Sequence, residues 1–175
     1  SIGKGLPHNP STVLHGLREP YAKRTVEGDI GMRYSARGIV EANDVEEISR
    51  VSGLDEDKIH QLLKKIDEDK SIIPQNKEEQ AMDFALASLA VRTGLVRHAG
   101  VLEQVYTPIG PAYQQVGKDL TEFSNIIVTG GALIHSDDYQ KIIEEAVNVS
   151  DEQILIPRRA RVTRDDKYIL SAMGL

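Results

Sequence analysis

A short glycine-containing stretch, Thr129-Gly130-Gly131-Ala132, is the part of this sequence whose residue types best suit ligand binding. It follows the β-branched run Ile126-Ile127-Val128 and precedes a helical pattern that begins at Asp138. Glycines let the chain turn sharply and place no side chain in the path of a ligand. A strand, a bare turn and a helix in this order present backbone N–H groups at the carboxyl end of a sheet, where open α/β folds bind ligands. Because such turns also occur for purely steric reasons, these residues alone leave both interpretations open.

The elements around this turn indicate an α/β fold. An unbroken β-branched run is typical of a strand that is buried on both faces, and such strands belong to parallel sheets covered by helices. We therefore predict that residues 126–129 form a central strand. One flanking helix begins at Lys77 and continues to about His98, with small residues that indicate burial on several sides. The other begins at Asp138.

Periodicity and capping residues predict the other elements. We expect a helix that is capped by Asp29 and ends near Glu41. Asp29-x-Gly31 also resembles an acidic phosphate and metal loop, but helix-like sequence follows it, so capping is the favoured interpretation. His98 is interpreted as a C-terminal cap, since a helix C-terminus favours a cation, and a ligand role is the secondary alternative. The basic run over residues 158–164 is predicted to be a solvated loop, with a role in holding an anion left open. The remaining predicted elements are a strand at 12–14, a helix at 112–120, a strand at 153–157, and a final helix at 167–175 capped by Asp165 or Asp166.

Residues 43–76 predict a helical hairpin inserted into the main domain. Asp44 and Glu47 have the spacing of a capping box, and Asp55 can cap the second helix. The spacing also resembles a DNA-binding helix-turn-helix. However, Asp55, Glu56 and Asp57 would face DNA phosphates and repel them. The interpretation that remains is a hairpin that docks a protein partner.

Composition excludes several classes of function. The chain has 175 residues, a net charge of −6, a pI near 5.4 and no cysteine. Disulfides and thiolate metal sites are therefore excluded, and an acidic chain argues against nucleic-acid binding. No apolar stretch is long enough for a membrane span, and a cytoplasmic location is expected. Spacing reveals no catalytic constellation and no metal site, so catalytic residues stay unassigned.

The last third of the sequence resembles the end of an actin-like (ribonuclease H-like) ATPase domain. The resemblance rests on the order strand, Thr129-Gly130-Gly131-Ala132, helix, short strand and Asp-capped helix. In that superfamily the equivalent glycines form the adenosine-binding turn. The resemblance therefore implies that Thr129, Gly130, Gly131 and Ala132 bind a nucleotide cofactor, and that the domain is helix-rich with a small helical insertion.

A narrower resemblance, to the MutL/GlmL accessory proteins of glutamate mutase, extends along nearly the whole chain. Glutamate mutase is an adenosylcobalamin-dependent enzyme, and this MutL is unrelated to the mismatch-repair protein of the same name. The segments that carry the resemblance are Asn9-Pro10-Ser11-Thr12-Val13, residues 19–35, Arg97-His98-Ala99-Gly100 and residues 127–133.

The resemblance implies an ATP-dependent, chaperone-like accessory protein whose partners are glutamate mutase subunits. ATP and Mg²⁺ would be cofactors of the full-length protein. Residues 1–175 would be part of the second lobe of the ATPase domain, because the acidic, glycine- and threonine-rich phosphate loops of the family do not occur in this sequence. We therefore expect this piece to require no cofactor and to lack turnover. Two alternatives are a small-molecule kinase of the same superfamily and a non-enzymatic helical interaction module.

Overall fold

A computed structural model describes residues 1–108, 110–134 and 136–172, and the chain divides into two compact units. The sheet unit comprises Ser1–Val26, Leu95–Thr129 and Val147–Leu175, and the helical unit comprises Glu27–Gly94 and Gly130–Ala146. The mixture of helices and small sheets confirms the α/β class in its broad sense. The actin-like ATPase fold stays a prediction, and so do the partial second lobe at residues 1–175 and the insertion at residues 43–76.

The elements follow one another in a fixed order along the described residues. The helices are α1 Ala36–Asn43, α2 Val45–Ser52, α3 Glu56–Glu68, α4 Lys77–His98, α5 Gly131–Ile134, α6 Tyr139–Val147 and α7 Ile169–Ala172. The strands are β1 Thr12–His15, β2 Val101–Thr107, β3 Gly110–Val116, β4 Asn125–Val128 and β5 Arg161–Arg164. None of the described helices has the length and apolar character that a membrane crossing requires.

The helical unit is organised around the apolar faces of α3 and α4. Residues spaced by three and four positions place one stripe of α3 in the core, where Ile59 is fully buried. Asp55 caps α3 as predicted, because its carboxylate accepts a hydrogen bond from Lys58 N at 2.8 Å. Helix α4 has the predicted bounds and is buried on several sides, since Ala87 and Ser88 are buried beside Leu86 and Leu89.

Two predicted helix caps in this unit are wrong. Asp29 does not cap α1, which begins only at Ala36. Residues 29–35 instead form bends and turns, and α1 packs so tightly on them that a β-carbon on Gly38 would lie 2.0 Å from Asp29 O. Asp44 makes no side-chain cap bond and has a φ of 63°, while Glu47 pairs with arginines instead of completing a capping box.

The sheet unit contains a three-stranded sheet in the order β1-β3-β2. Strand β1 confirms the predicted strand and pairs in parallel with β3, while β2 and β3 form an antiparallel hairpin. The predicted helix at 112–120 is wrong, because Ala112 to Val116 belong to β3. Pairing on both edges and burial of Gln115 overrode the local helical pattern.

Strands β4 and β5 form a separate two-stranded parallel sheet. The prediction of a central strand buried on both faces is wrong, because Ile127 is 54% exposed whereas Val128 is 5% exposed. The predicted strand at 153–157 does not form either. Residues 153–157 contribute only an isolated bridge at Ile154, and the ladder is made by the basic run expected to be a loop.

Helix α7 is the last element of the described residues. Asp165 caps this helix as predicted, accepting hydrogen bonds from Ile169 N and Leu170 N, both at 3.0 Å. The predicted helix extended to residue 175, and residues 173–175 lie outside the described part of the chain.

Candidate functional site

The glycine turn predicted to bind a ligand joins β4 to α5. Gly130 has a φ of +100°, a conformation that favours glycine, and a β-carbon built on it would meet no atom within 4 Å. Thr129, Gly131 and Ala132 are exposed. The turn is closed by a hydrogen bond from Leu133 N to Gly130 O at 3.0 Å. The four predicted residues thus form one turn, and ligand binding there stays a prediction.

The carboxyl ends of β4 and β5 lie side by side next to this turn. Asp165 N donates to Val128 O at 2.9 Å, which ties the end of one strand to the residue after the other. The charged groups at this edge already have partners. Arg164 pairs with Asp166, and the Asp165 carboxylate caps α7. This edge therefore offers backbone hydrogen bonding rather than a cluster of cations for phosphates.

Arg158, at the start of the basic run, makes its hydrogen bonds within the fold. Arg158 Nη2 donates to the carbonyls of Asp151 at 2.7 Å and Ile154 at 3.2 Å, and its Nη1 donates to Val149 O. Arg161 is the first residue of β5. Residues 161–164 of the run form β5, and Arg158 holds the preceding loop by hydrogen bonds. The prediction of a solvated basic loop is therefore wrong for this run.

A groove of about 390 Å³ lies within the sheet unit, between residues 2–6 and residues 119–125. Phe123 forms part of its wall, and its ring approaches Gly3 so closely that a β-carbon there would lie 2.5 Å from the ring. Lys4, Asp119 and Glu122 add charge to the lining. Sequence reasoning missed this groove, because its two segments are more than a hundred residues apart.

A fully buried lysine near the Phe123 ring holds residues 20–21 in place. Lys118 Nζ donates to the carbonyls of Pro20 at 3.0 Å and Tyr21 at 2.8 Å, and it lies 5.7 Å from the centroid of the Phe123 ring. Burial lowers the pKa of this lysine below its ordinary value. The ammonium group compensates for burial by satisfying backbone carbonyls, so its role is structural.

His98 lies at the end of α4 and is neutral. A hydrogen bond of 3.0 Å joins its Nδ1 to Thr25 Oγ1, and one of 2.8 Å joins its Nε2 to Ser1 Oγ. Burial, together with nearby positive charges that include Lys23 and Lys118, lowers its pKa to about 4. The prediction that it caps the helix as a cation is therefore wrong at neutral pH.

In the helical unit, a charge network that spacing did not reveal joins α2, α4 and α6. Arg92 Nη2 donates to Glu145 O at 2.7 Å and to Glu145 Oε1 at 2.8 Å, and its Nη1 donates to Glu47 Oε1. Arg50 bonds the same two carboxylates, at 2.8 Å to Glu47 and 2.5 Å to Glu145. Both arginines lower the pKa of Glu47, Arg50 most strongly.

Across residues 1–108, 110–134 and 136–172 there is no group of three His, Asp or Glu side chains that could hold a metal ion. A Mg²⁺ bound by a carboxylate cluster therefore has no fitting ligand set in the described residues. The assignment of Thr129, Gly130, Gly131 and Ala132 to a cofactor stays a prediction.

Comparison of the sequence with known proteins identifies similar proteins. The sequence profile described as MutL protein matches residues 1–175. Protein MutL from Clostridium tetanomorphum is 39% identical over 176 residues, which covers 100% of this chain and 38% of that relative. The chain thus spans 38% of the length of the relative. No solved structure matches. With a match along its entire length to the profile and to this relative, the chain belongs to the MutL protein family.

Proposed function

We propose that this chain is part of an ATP-dependent accessory protein of adenosylcobalamin-dependent glutamate mutase. Membership of the MutL family supports this proposal, because the sequence segments that resemble MutL/GlmL also imply that partner. Within the proposal, Thr129, Gly130, Gly131 and Ala132 receive the adenosine of ATP in a cytoplasmic protein.

The accessible backbone of the turn is the observation that carries the nucleotide part of the proposal. Gly130 leaves open space where any side chain would stand, and the turn directly follows a strand. A flat base that stacks over such a turn loses apolar surface to the protein, which contributes on the order of several kcal/mol.

The triphosphate makes a different demand. Its charge must be met by Mg²⁺ and by groups that position the terminal phosphate for attack. Arg164 and Asp166 pair with each other, and the described residues hold no carboxylate cluster for Mg²⁺. We therefore expect residues 1–175 alone to bind adenine nucleotide weakly and to hydrolyse none, while a full-length MutL chain supplies the phosphate-binding part.

Calorimetric titration with ATP and Mg²⁺ tests this division. The 175-residue chain should show weak binding and no phosphate release, and the full-length protein should bind more tightly. Gly131→Val in the full-length protein should abolish binding, because the branched side chain occupies the space of the ligand. Gly131→Ala is the matched control and should retain most of the affinity. Unchanged binding by the Val variant would exclude the turn, and turnover by the 175-residue chain would mean that it contains a complete active site.

The partner is tested separately, by copurification of glutamate mutase subunits with full-length MutL in the presence and absence of ATP. Capture that depends on ATP supports the proposed function. The hairpin of α2 and α3 offers a second candidate function, docking without nucleotide, because its exposed face carries Glu56 and Asp57. Asp57→Lys should reduce capture if this hairpin is the docking surface, and capture that is indifferent to ATP would favour the docking module over the ATP-dependent protein.

A further inference from the structure

We propose that the groove between residues 2–6 and residues 119–125 binds a zwitterionic α-amino acid with an apolar side chain. Both segments belong to the sheet unit, and the groove volume of about 390 Å³ lies within the range of small-molecule sites. The groove is separate from the glycine turn, because residues 129–132 do not line it. It is therefore a second candidate site, independent of the proposed nucleotide site.

The two walls of the groove are held together by backbone contacts. Gly5 O accepts a hydrogen bond from Asp119 N at 3.0 Å, which joins the first wall to the second. Phe123 N donates to Leu120 O at 3.0 Å, and the Phe123 ring lies against Gly3. Because these contacts already fix the walls, a ligand would bind without the free-energy cost of ordering them.

Asp119 brings an incompletely satisfied carboxylate to the groove. The residue lines the groove although it is only 7% exposed. Its Oδ1 accepts hydrogen bonds from Thr121 N at 2.8 Å and from Thr121 Oγ1 at 2.6 Å, while its Oδ2 has no hydrogen-bond partner among the described residues. A largely buried carboxylate oxygen without a donor is unfavourable, and the ammonium group of a ligand would supply that donor.

Lys4 contributes the opposite charge to the same lining. Its ammonium group has no hydrogen bond or ion pair within the part of the chain that the structure describes. Gly5 is bonded to Asp119, yet the side chains of Lys4 and Asp119 do not pair with each other. Two opposite charges that lie in one groove without pairing suit a ligand that carries both, with its carboxylate at Lys4 and its ammonium at Asp119.

The remaining lining residues narrow the class of ligand. The single cation is accompanied by two carboxylates, Asp119 and Glu122, so a simple anion such as phosphate would be repelled. A metal ion is disfavoured, since the described residues hold no group of three His, Asp or Glu side chains. The apolar part of the lining is formed by Leu6, Phe123 and Ile2, which is 61% exposed. A ligand with an apolar side chain would cover this surface.

Three probes separate the two charges of the ligand. Phenylalanine carries both charges, phenylpropionate lacks the ammonium, and phenethylamine lacks the carboxylate. In calorimetric titration of the protein, phenylalanine should bind at least tenfold more tightly than either analogue. In NMR titration it should shift the amide signals of Gly3, Gly5 and Phe123. Equal affinities for the three probes, no binding of phenylalanine at millimolar concentration, or shifts confined to other residues would overturn the proposal.

Substitution of each charge provides a second readout. Lys4→Gln should weaken the binding of phenylalanine and phenylpropionate at least tenfold and leave that of phenethylamine unchanged. Asp119→Asn keeps the Oδ1 acceptor for Thr121 and should weaken phenylalanine and phenethylamine at least tenfold. Retained binding of phenylpropionate would show that this variant is folded. Lys64→Gln is the matched control, because the side chain of Lys64 is 77% exposed in the helical unit.

The pattern of losses decides the assignment of the two charges. Equal losses for all three probes in Lys4→Gln, or a comparable loss in Lys64→Gln, would contradict it. The same pattern is expected in a full-length MutL chain that contains these residues. Binding of phenylalanine to the 175-residue chain alone would show that the groove is covered in the longer protein and would also overturn the proposal.

Discussion

Arg92 is the side chain in the helical unit whose replacement should reveal how α6 is held. Its side chain is 11% exposed, and its guanidinium bonds a carboxylate on α2 together with a carbonyl and a carboxylate on α6. Arg92→Met keeps an unbranched chain of similar reach and removes every donor. The variant therefore isolates the hydrogen bonds and the charge from the packing of the aliphatic stem.

The expected loss of unfolding free energy depends on the burial of Arg92 and on the bonds that Arg50 keeps. Removing one partner of a fully buried ion pair costs about 3–5 kcal/mol, because the other charge is left without compensation. Here Arg50 continues to bond Glu47 and Glu145, so the carboxylates keep one cation. We expect a loss of about 2–3 kcal/mol, lower than the fully buried case for that reason. In a chain of this size such a loss lowers Tm by roughly 5–10 °C.

Urea and thermal unfolding of the purified variants measure this loss. Arg50→Met is the matched control, because its side chain is 49% exposed and exposed pairs contribute only about 0.2–1 kcal/mol. Combining Arg92→Met with Glu145→Gln should show a coupling energy of about 1 kcal/mol or more, as contacting residues do. A loss below about 0.5 kcal/mol for Arg92→Met, the size of an ordinary surface change, would refute the reasoning. So would a larger loss for Arg50→Met.

Two further predictions concern packing and protonation. Gly38→Ala should destabilise the chain by about 2 kcal/mol or more, since its methyl group would collide with Asp29 O. In α4, the methyl group of Gly94→Ala would meet its nearest neighbour at 3.6 Å, so this variant should stabilise the chain by about 0.5–1 kcal/mol. Equal urea midpoints for the two alanine variants would contradict the observed packing. The pKa of His98 is 6.5 in the unfolded chain and about 4 in the folded chain. Between these pH values the unfolded chain binds more protons, so stability falls as the pH is lowered from 6.5 to 4. His98→Gln should flatten that part of the pH profile measured by urea unfolding, and parallel profiles for the two proteins would show that another group is responsible.

The elements that the sequence predicted correctly are those decided by nearby residues. Helix α3 combines a capping aspartate with an apolar stripe, and α4 has a long helical pattern without a proline. Both depend on contacts between residues three or four positions apart. The Gly-Gly turn belongs to the same class, because the positive φ of Gly130 is a local property.

The errors occurred where distant pairing decides the conformation. Residues 112–116 have a local helical pattern, yet Tyr113 pairs with Thr12, about a hundred positions earlier in the chain. Residues 161–164 of the basic run form β5 because they pair with β4, and no local rule predicts that pairing. The network of Arg92 with Glu47 and Glu145 likewise joins residues that are 45 and 53 positions apart. Sequence spacing cannot identify such contacts.

The glycine turn itself was predicted from the sequence, whereas its role in ligand binding stays a prediction. A bare turn is recognised from two adjacent glycines, but the groups that surround it arrive through tertiary structure. Val128 is tied to Asp165 by a backbone bond within the sheet unit, and Arg92 anchors α6 within the helical unit. Strand β4 and helix α6 are thus each held by contacts within their own unit. Contacts of this kind join residues far apart in sequence, so the stability measurement on Arg92 reports how strongly α6 is anchored to α2 and α4, which no local pattern predicts.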